Sequence, residues 1–272
     1  MPNLRVLFVS LAVWLSIAIS TALPASAKTL VLVQGYLGNV ASYRQSAITD
    51  ILKIKGWTDG GHLVALPQGV AGLYKVEGAK RFYTLELPTE APTTVQAGIL
   101  ASYVRNISEM YAEEDLILVG HSAGGVVSRL MLVQYPDIEV ETLITIASPH
   151  LGTELAEDGL TLANSPVGFF APMFGAGTLN RSQALYADLV RERPGTLLGW
   201  LNRQTHPDIR YVSLVRGDPR NPANNGDDIV PGWSQDLNNV VALKGKATTY
   251  LTPAAHELTA GDGAMIAGLL AE

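Results

Sequence analysis

The sequence predicts an α/β fold built on a mostly parallel, doubly wound sheet. Unbroken runs of branched apolar residues open the segment 29–39 and recur at 115–120, 141–148 and 210–215. Strands that are covered on both faces by helices, as in parallel sheets, have this continuous apolar character. Segments with helical spacing of apolar residues separate the runs, and such an alternation of strands and helices predicts a doubly wound sheet.

The remaining elements follow the same alternation. Shorter strand candidates are residues 62–67, 82–87 and 246–252. Helix candidates are residues 42–55, 93–110, 124–133 and 263–270. No internal repeat or low-complexity tract is visible, so we expect one α/β domain over residues 28–272.

The composition is that of a globular protein without a polyanionic partner. The chain has 272 residues, of which 47% are hydrophobic and 16% charged, and its formal net charge is −6. This apolar content excludes intrinsic disorder, and no cluster of Lys and Arg is present to neutralise phosphates, which argues against a nucleic acid partner. The absence of cysteine excludes disulfides, thiol catalysis and cysteine-ligated zinc.

Residues 1–27 predict an export signal. Arg5 supplies the charged start, residues 6–23 the apolar stretch, and Ala25 and Ala27 the small residues that precede a cleavage site. A membrane anchor that is never cut is the alternative, since the apolar run approaches the roughly 18 residues needed to span a bilayer. We expect an exported protein, either periplasmic or secreted.

Residues 151–209 break the alternation because they carry no strand pattern. A connection of this length is typical of a functional insertion. Two interpretations remain open, namely a small helical subdomain packed on the sheet and a cap or lid that covers the substrate. In the second case its apolar side chains would line an acyl site; they are Phe169, Phe170, Met173, Phe174, Leu197, Leu198, Trp200 and Leu201.

A candidate nucleophile lies in LILVGHSAGGVV, residues 116–127. In the motif G-x-S-x-G the serine occupies a strained turn between a strand and a helix, and the residues two positions away must lack side chains so that the helix packs against the strand. Gly120 and Gly124 meet this requirement around Ser122. The turn also places the hydroxyl beyond the carboxyl end of the strand, where open α/β sheets form their clefts.

A serine hydroxyl needs a base to remove its proton during attack. Of the five histidines, His256 follows the last strand candidate and precedes the final helix. In hydrolases of this architecture the chain order is serine, acid, histidine, and His256 fits the third place. We expect His62 and His206 in turns or at the surface, and the ring of His121 beside the nucleophile to point elsewhere.

The acid that orients the histidine should follow a strand between Ser122 and His256. The segment after residues 210–215 offers Asp227, with Asp228 and Asp218 as alternatives. We favour Asp227, because the apolar residues after it return the chain to the core and leave this carboxylate at the end of a loop. Its role would be to accept the Nδ1 proton of the histidine and to stabilise the imidazolium.

A tetrahedral intermediate also needs donors for its negative oxygen. The backbone N–H of Ala123 directly follows the nucleophile at a helix N-terminus, where the helix dipole favours negative charge. The second donor should come from the turn after the first strand, where Tyr36 is the candidate. Loss of one such donor costs about 2.7–4 kcal/mol of transition-state stabilisation.

The segments GHSAGG, VLVQGYLGN, GDDIVPGWS, AAHEL and ASPHLGT occur in an order that resembles the α/β-hydrolase superfamily, and within it the secreted bacterial lipases and esterases. The resemblance spans almost the whole chain after residue 27. It implies Ser122, Asp227 and His256 as the catalytic triad, Tyr36 and Ala123 as oxyanion donors, and a mobile lid near residues 151–200.

The chain departs from this family in one turn, and a neighbouring segment resembles a second group of proteins. Gln34-Gly35 stands where the family usually has His-Gly, so the bonds that hold the oxyanion loop must differ. Residues 38–45 faintly resemble lipid-anchor deacylases, which also hydrolyse esters. No segment has the spacing of a calcium or other metal site, so we expect neither a metal nor a cofactor.

These observations predict a serine hydrolase that cleaves carboxylic esters, with a lipid or long-acyl ester favoured by the apolar insertion. The lid would then make transient contact with a lipid surface. The same three side chains also suit a thioesterase, an amidase or an acyltransferase. A non-catalytic binding protein with this fold is the alternative from a different class, since a fold alone does not establish chemistry.

Overall fold

The computed structural model describes residues 27–165, 177–218, 220–221 and 225–271. Its strands are β1 (Lys28–Val33), β2 (Thr58–Leu66), β3 (Gly69–Ala71), β4 (Lys80–Leu85), β5 (Asp115–His121), β6 (Thr142–Ile146), β7 (Arg210–Arg216) and β8 (Ala247–Thr252). They form an eight-stranded sheet in the order β3-β2-β4-β1-β5-β6-β7-β8. Every neighbouring pair is parallel except β2 and β3. The predicted mostly parallel sheet is thus confirmed.

The helices among the described residues lie on both faces of the sheet. They are α1 (Ser42–Gln45), α2 (Ile48–Ile54), α3 (Thr93–Met110), α4 (Ala123–Gln134), α5 (Glu154–Ala163), α6 (Gly177–Arg181), α7 (Gln183–Leu189), α8 (Leu197–Leu201), α9 (Gly232–Gln235) and α10 (Ala260–Leu269). Side chains of α1, α2 and α10 share one apolar cluster, and those of α3, α4, α7 and α8 share another.

Strand β1 shows why its sequence is apolar without interruption. Leu30 and Leu32 belong to the cluster on one face, whereas Val31 and Val33 belong to the cluster on the other, and all four are fully buried. Each such side chain stabilises the fold by about 1.5–3 kcal/mol relative to its exposed state. The two helical layers therefore hold the central strands rigidly, so that their carboxyl ends meet at one edge of the sheet.

Two elements differ most from the predicted boundaries. The predicted helix 42–55 is divided into α1 and α2, because Ala47 adopts a left-handed conformation with φ 63°. Strand β2 begins at Thr58, four residues before the apolar run that marks it in the sequence, and pairs with β3 in a hairpin. The polar and glycine-rich start of β2 has no strand signature of its own, which explains the difference.

In its described part, the insertion between β6 and β7 contains helices α5 to α8, joined by turns and loops, and no strand. Asp188 of α7 accepts hydrogen bonds from the amide and the hydroxyl of Thr93 at 2.8 and 2.9 Å, at the first residue of α3. Arg181 forms an ion pair with Glu90 at 3.0 Å. These contacts fix α6 and α7 on the amino-terminal end of α3.

The structure changes the interpretation of two predicted acyl-site residues. Leu198 and Leu201 are fully buried in the cluster that contains α3 and α4, so they stabilise the insertion and offer no surface to a substrate. Trp200 between them remains 45% exposed. The predicted residues Phe169, Phe170, Met173 and Phe174 lie outside the described residues.

The predicted export signal also lies outside the described residues, apart from Ala27. In the ranges that the structure describes, no helix has both the length and the apolar character required to cross a bilayer.

Candidate active site

Ser122 lies in a strained turn at the carboxyl end of β5. Its φ and ψ are 51° and −128°, which is unusual for a residue with a side chain and costs about 1–3 kcal/mol. The surrounding backbone holds this conformation: the Ser122 amide donates to the carbonyl of Ile146 at 2.8 Å, and the Ser122 carbonyl accepts from Gly125 at 3.1 Å. The turn thus presents the hydroxyl above the sheet edge.

Two glycines allow α4 to start so close to the sheet. A Cβ at Gly120 would lie 2.5 Å from the Cα of Gly125. A Cβ at Gly124 would lie 2.6 Å from the carbonyl oxygen of Val33 in β1. Both distances are far below van der Waals contact, so any side chain at either position would displace backbone.

We expect Gly124→Ala to destabilise the fold by about 1–3 kcal/mol, the usual cost of overpacking a close-packed region. Gly268→Ala in α10 is the matched control, because a Cβ there meets no atom within 4 Å. Alanine in a helix is favoured over glycine by about 0.5–1 kcal/mol. Urea unfolding of both variants checks the difference, and equal stability of the two would contradict the close-packing argument.

His256 lies next to Ser122, and Asp227 lies on the other side of the His256 ring, although the three residues are distant in sequence. The hydroxyl of Ser122 lies 2.9 Å from Nε2 of His256. Nδ1 of the same ring lies 3.0 Å from Oδ2 of Asp227. An ionised carboxylate only accepts, so Nδ1–H donates to Asp227 and leaves Nε2 as the acceptor for the serine proton. The parallel strands explain the meeting, since β5, β7 and β8 all end at this edge.

The carboxylate of Asp227 is buried and well supplied with donors. Its Oδ1 accepts from the amides of Ile229 and Val230 at 2.8 and 2.7 Å, and its Oδ2 also accepts from Nε2 of Gln235 at 3.1 Å. Burial acts to raise the pKa of Asp227, but the hydrogen bond from His256 and the backbone donors outweigh it and leave the pKa below its ordinary value. The group is therefore charged at neutral pH.

The two alternative acids point elsewhere. Asp228 is exposed, whereas the side chain of Asp227 is 2% exposed. Asp218 pairs with Arg220 within its own loop, at 3.0 Å. Of the three candidates, the structure brings only Asp227 to His256.

The predicted oxyanion donors flank the serine. Among the described residues, the amides of Tyr36 and Ala123 have no acceptor. Gly35 approaches the nucleophile so closely that a Cβ there would lie 2.8 Å from the Cβ of Ser122. The turn after β1 therefore lies against the turn that carries Ser122, which leads into the first turn of α4.

Sequence analysis did not identify two residues near the site, Tyr186 and Gln235. The hydroxyl of Tyr186 in α7 lies 2.6 Å from that of Tyr36, and the two rings pack edge to face. Gln235 joins Asp227 to the amide of Arg216, which donates to its Oε1 at 2.8 Å. No local pattern marks either residue, because both contacts arise from tertiary packing.

Solved structures with the same architecture include a lipase and a carboxyl esterase. The mature form of a Bacillus licheniformis lipase has a TM-score of 0.60 at 19% identity, with 91% of this chain and 93% of that chain covered. The chain has the α/β-hydrolase fold. A metagenomic carboxyl esterase shares the α/β-hydrolase fold with a TM-score of 0.52 at 18% identity, over 85% of this chain and 65% of that chain.

The family model and the curated relatives each match only part of the chain. A family model described as a PGAP1-like alpha/beta domain matches residues 80–165, which include Ser122. A GPI inositol-deacylase of Debaryomyces hansenii is 39% identical over 71 residues, 24% of this chain and 7% of that protein. GPI inositol-deacylase B of Yarrowia lipolytica is 48% identical over 58 residues, 20% of this chain and 6% of that protein. The chain thus spans a small fraction of these relatives.

Proposed function

We propose that this protein is a serine hydrolase that cleaves carboxylic esters through an acyl-enzyme on Ser122. The observation that supports this proposal is the continuous hydrogen-bonded chain from Ser122 through His256 to Asp227, with distances of 2.9 and 3.0 Å. Its members lie on three separate segments and occupy a buried or half-buried sheet edge. A nucleophile, a base and an orienting acid in this relation are the requirements for acyl transfer.

The geometry leads to a two-stage reaction. Ser122 Oγ attacks the ester carbonyl carbon while His256 Nε2 takes its proton, and the amides of Tyr36 and Ala123 stabilise the resulting oxyanion. Collapse of the intermediate breaks the carbon–oxygen bond, and the imidazolium gives its proton to the leaving alcohol. Water then attacks the acyl-serine with His256 as base, which releases the acid and restores the hydroxyl. Asp227 stabilises the imidazolium in both stages.

We infer an ester with a long acyl chain as the substrate. Three large apolar side chains of the insertion are exposed, namely Leu155, Leu162 and Trp200 at 50%, 47% and 45%. Apolar groups that a monomer leaves in water in this way are typical of surfaces that meet a ligand or a lipid. The same surface supports transient contact with a lipid interface through the insertion acting as a lid.

A panel of p-nitrophenyl esters tests the substrate class. We expect kcat/KM to be about 10-fold or more higher for octanoate than for acetate, since each buried methylene contributes about 0.8 kcal/mol. Activity should also rise at an oil–water surface. Equal rates on acetate and octanoate, with no gain at the interface, would refute the long-acyl assignment but leave ester hydrolysis itself intact.

The local similarity to GPI inositol-deacylases favours a second substrate, an acyl ester of a polyol such as inositol. The family model, described as a PGAP1-like alpha/beta domain, covers the strand and the turn that carry Ser122. Release of fatty acid from an acylated phosphatidylinositol, measured beside release from a triglyceride, distinguishes the two. A preference for the inositol ester would favour the polyol substrate, and hydrolysis of the triglyceride alone would exclude it.

Tyr186 is expected to support the oxyanion donor of Tyr36 through their hydroxyl pair. Tyr186→Phe should lower kcat by about 2- to 10-fold, the equivalent of one neutral hydrogen bond of about 0.5–1.5 kcal/mol. Tyr74→Phe is the control, because Tyr74 is 73% exposed in another part of the chain. Steady-state kinetics on one ester check both, and an unchanged kcat in Tyr186→Phe would contradict the support.

A further inference from the structure

The loop that carries His256 has no regular secondary structure of its own. It spans residues 253–259, between β8 and α10. A catalytic base must keep its orientation within narrow limits, because a misplacement of about 1 Å can cost about 100-fold in rate. The side-chain bond from His256 to Asp227 controls only one end of the ring. Contacts to the backbone of this loop must provide the rest.

One contact comes from the residue beside the nucleophile. Nε2–H of His121 donates to the backbone carbonyl of His256 at 2.8 Å, and the two rings pack with their centroids 5.2 Å apart. Burial lowers the pKa of His121 to about 4, so the ring is neutral near pH 7. Because a carbonyl only accepts, the proton lies on Nε2.

A second contact holds the next carbonyl of the same loop. Nη2 of Arg216, the last residue of β7, donates to the carbonyl of Glu257 at 2.7 Å. The guanidinium also binds both oxygens of Asp262 in α10, at 2.6 and 3.0 Å, and the two side chains are 0% and 1% exposed. Asp262 in turn accepts from the amide of Thr259 at 2.8 Å. The loop is thereby tied to β7 and α10.

We propose that His121 and Arg216 form a backbone clamp, which positions the imidazole of His256 between Ser122 and Asp227. The clamp is defined by their bonds to the consecutive carbonyls of His256 and Glu257. The effect of the clamp on the reaction rate rests on the proposed function, whereas its effect on the position of the His256 ring does not. Both residues are positioning residues, since they act through the backbone and touch no reacting atom.

The clamp couples the base to the other two members of the site. His121 directly precedes Ser122, so the strained turn that fixes the nucleophile also fixes the donor to the loop of the base. Arg216 ends the strand after which Asp227 follows, and Gly226 next to Asp227 donates its amide to the Arg216 carbonyl at 2.7 Å. The segment that carries Ser122 and the segment that leads to Asp227 therefore both hold the loop that carries His256.

Replacement of His121 separates positioning from folding. We expect His121→Leu to lower kcat by about 10- to 100-fold with KM changed less than about twofold, because binding is retained while the base is misplaced. His121→Gln keeps an amide N–H near the place of Nε2 and should restore most of the loss. His206→Leu is the matched control: of the two predicted positions, turn or surface, the 6% exposure of His206 excludes the surface, and its Nδ1 lies 2.9 Å from the Gln204 carbonyl.

Arg216→Lys tests the other arm of the clamp. Lysine keeps a positive charge for Asp262 but lacks the planar fork that reaches Glu257 at the same time. We expect kcat to fall by about 10-fold while the protein still unfolds cooperatively. This variant also keeps the proposal testable if His121→Leu does not fold.

The outcomes distinguish the clamp from the hydrolase proposal. If the wild type hydrolyses esters and both His121→Leu and Arg216→Lys keep kcat within about twofold, the clamp is refuted and the hydrolase stands. If the wild type does not hydrolyse esters, crystal structures of the two variants decide the clamp. A His256 Nε2 to Ser122 Oγ distance beyond 3.5 Å supports it, and an unchanged 2.9 Å overturns it.

Discussion

Replacing Ser122 with alanine is expected to lower kcat for ester hydrolysis by about 10⁶-fold, because the acyl-enzyme cannot form without the hydroxyl. The fold should remain, since removing one oxygen at the sheet edge leaves the strand and helix packing intact. Initial rates on p-nitrophenyl octanoate and labelling by a fluorophosphonate measure the loss. No covalent label is expected on the variant.

Ser128→Ala provides a matched control for this change. Ser128 lies in α4, is fully buried and donates to the carbonyl of Gly124 at 2.8 Å, but its oxygen is not bonded to His256. Its kcat should stay within about twofold of the wild type. If Ser122→Ala keeps more than about 1% of the wild-type rate, the nucleophile lies elsewhere and the proposed function fails.

The second large effect is expected for Asp227→Asn, with kcat reduced by about 10⁴-fold. An amide in this place presents N–H groups to Nδ1, which favours the tautomer that carries its proton on Nε2. The ring is then unable to accept the proton of Ser122. Kinetics on the same ester measure the change, and a circular dichroism spectrum checks that the fold is retained.

The neighbouring acids serve as controls for Asp227. Asp228→Asn and Asp218→Asn should keep kcat within about twofold, since one is exposed and the other pairs with Arg220. A larger loss in Asp228→Asn than in Asp227→Asn would reverse the assignment. Because folding lowers the pKa of Asp227, its charge contributes stability that is present above the ordinary pKa of 3.8 and is lost as pH falls through the lower folded pKa.

Much of the fold was predictable because the central strands are buried on both faces. Continuous apolar runs such as that of β1 have one common explanation, namely a sheet covered by helices. The position of Ser122 was equally predictable, because the close packing of helix and strand leaves no room for a side chain at Gly120 or Gly124. Chain order then led to His256.

The choice among acids and the details of the insertion were less accessible. One residue of register separates Asp227 from Asp228, and the difference comes from the amides of Ile229 and Val230, which fold back to Oδ1. Composition alone does not separate apolar residues that fill the core, such as Leu198, from those that remain exposed, such as Trp200. Both distinctions depend on tertiary packing.

The ion pair between Arg216 and Asp262 has a consequence for solution conditions. Dissolved ions weaken attractions between charges in water, but they do not enter a region from which solvent is excluded. The pair of Arg220 and Asp218, with the arginine 89% exposed, is open to such screening. At molar salt concentrations the exposed pair should therefore weaken, while the buried pair that helps to hold the loop of His256 persists.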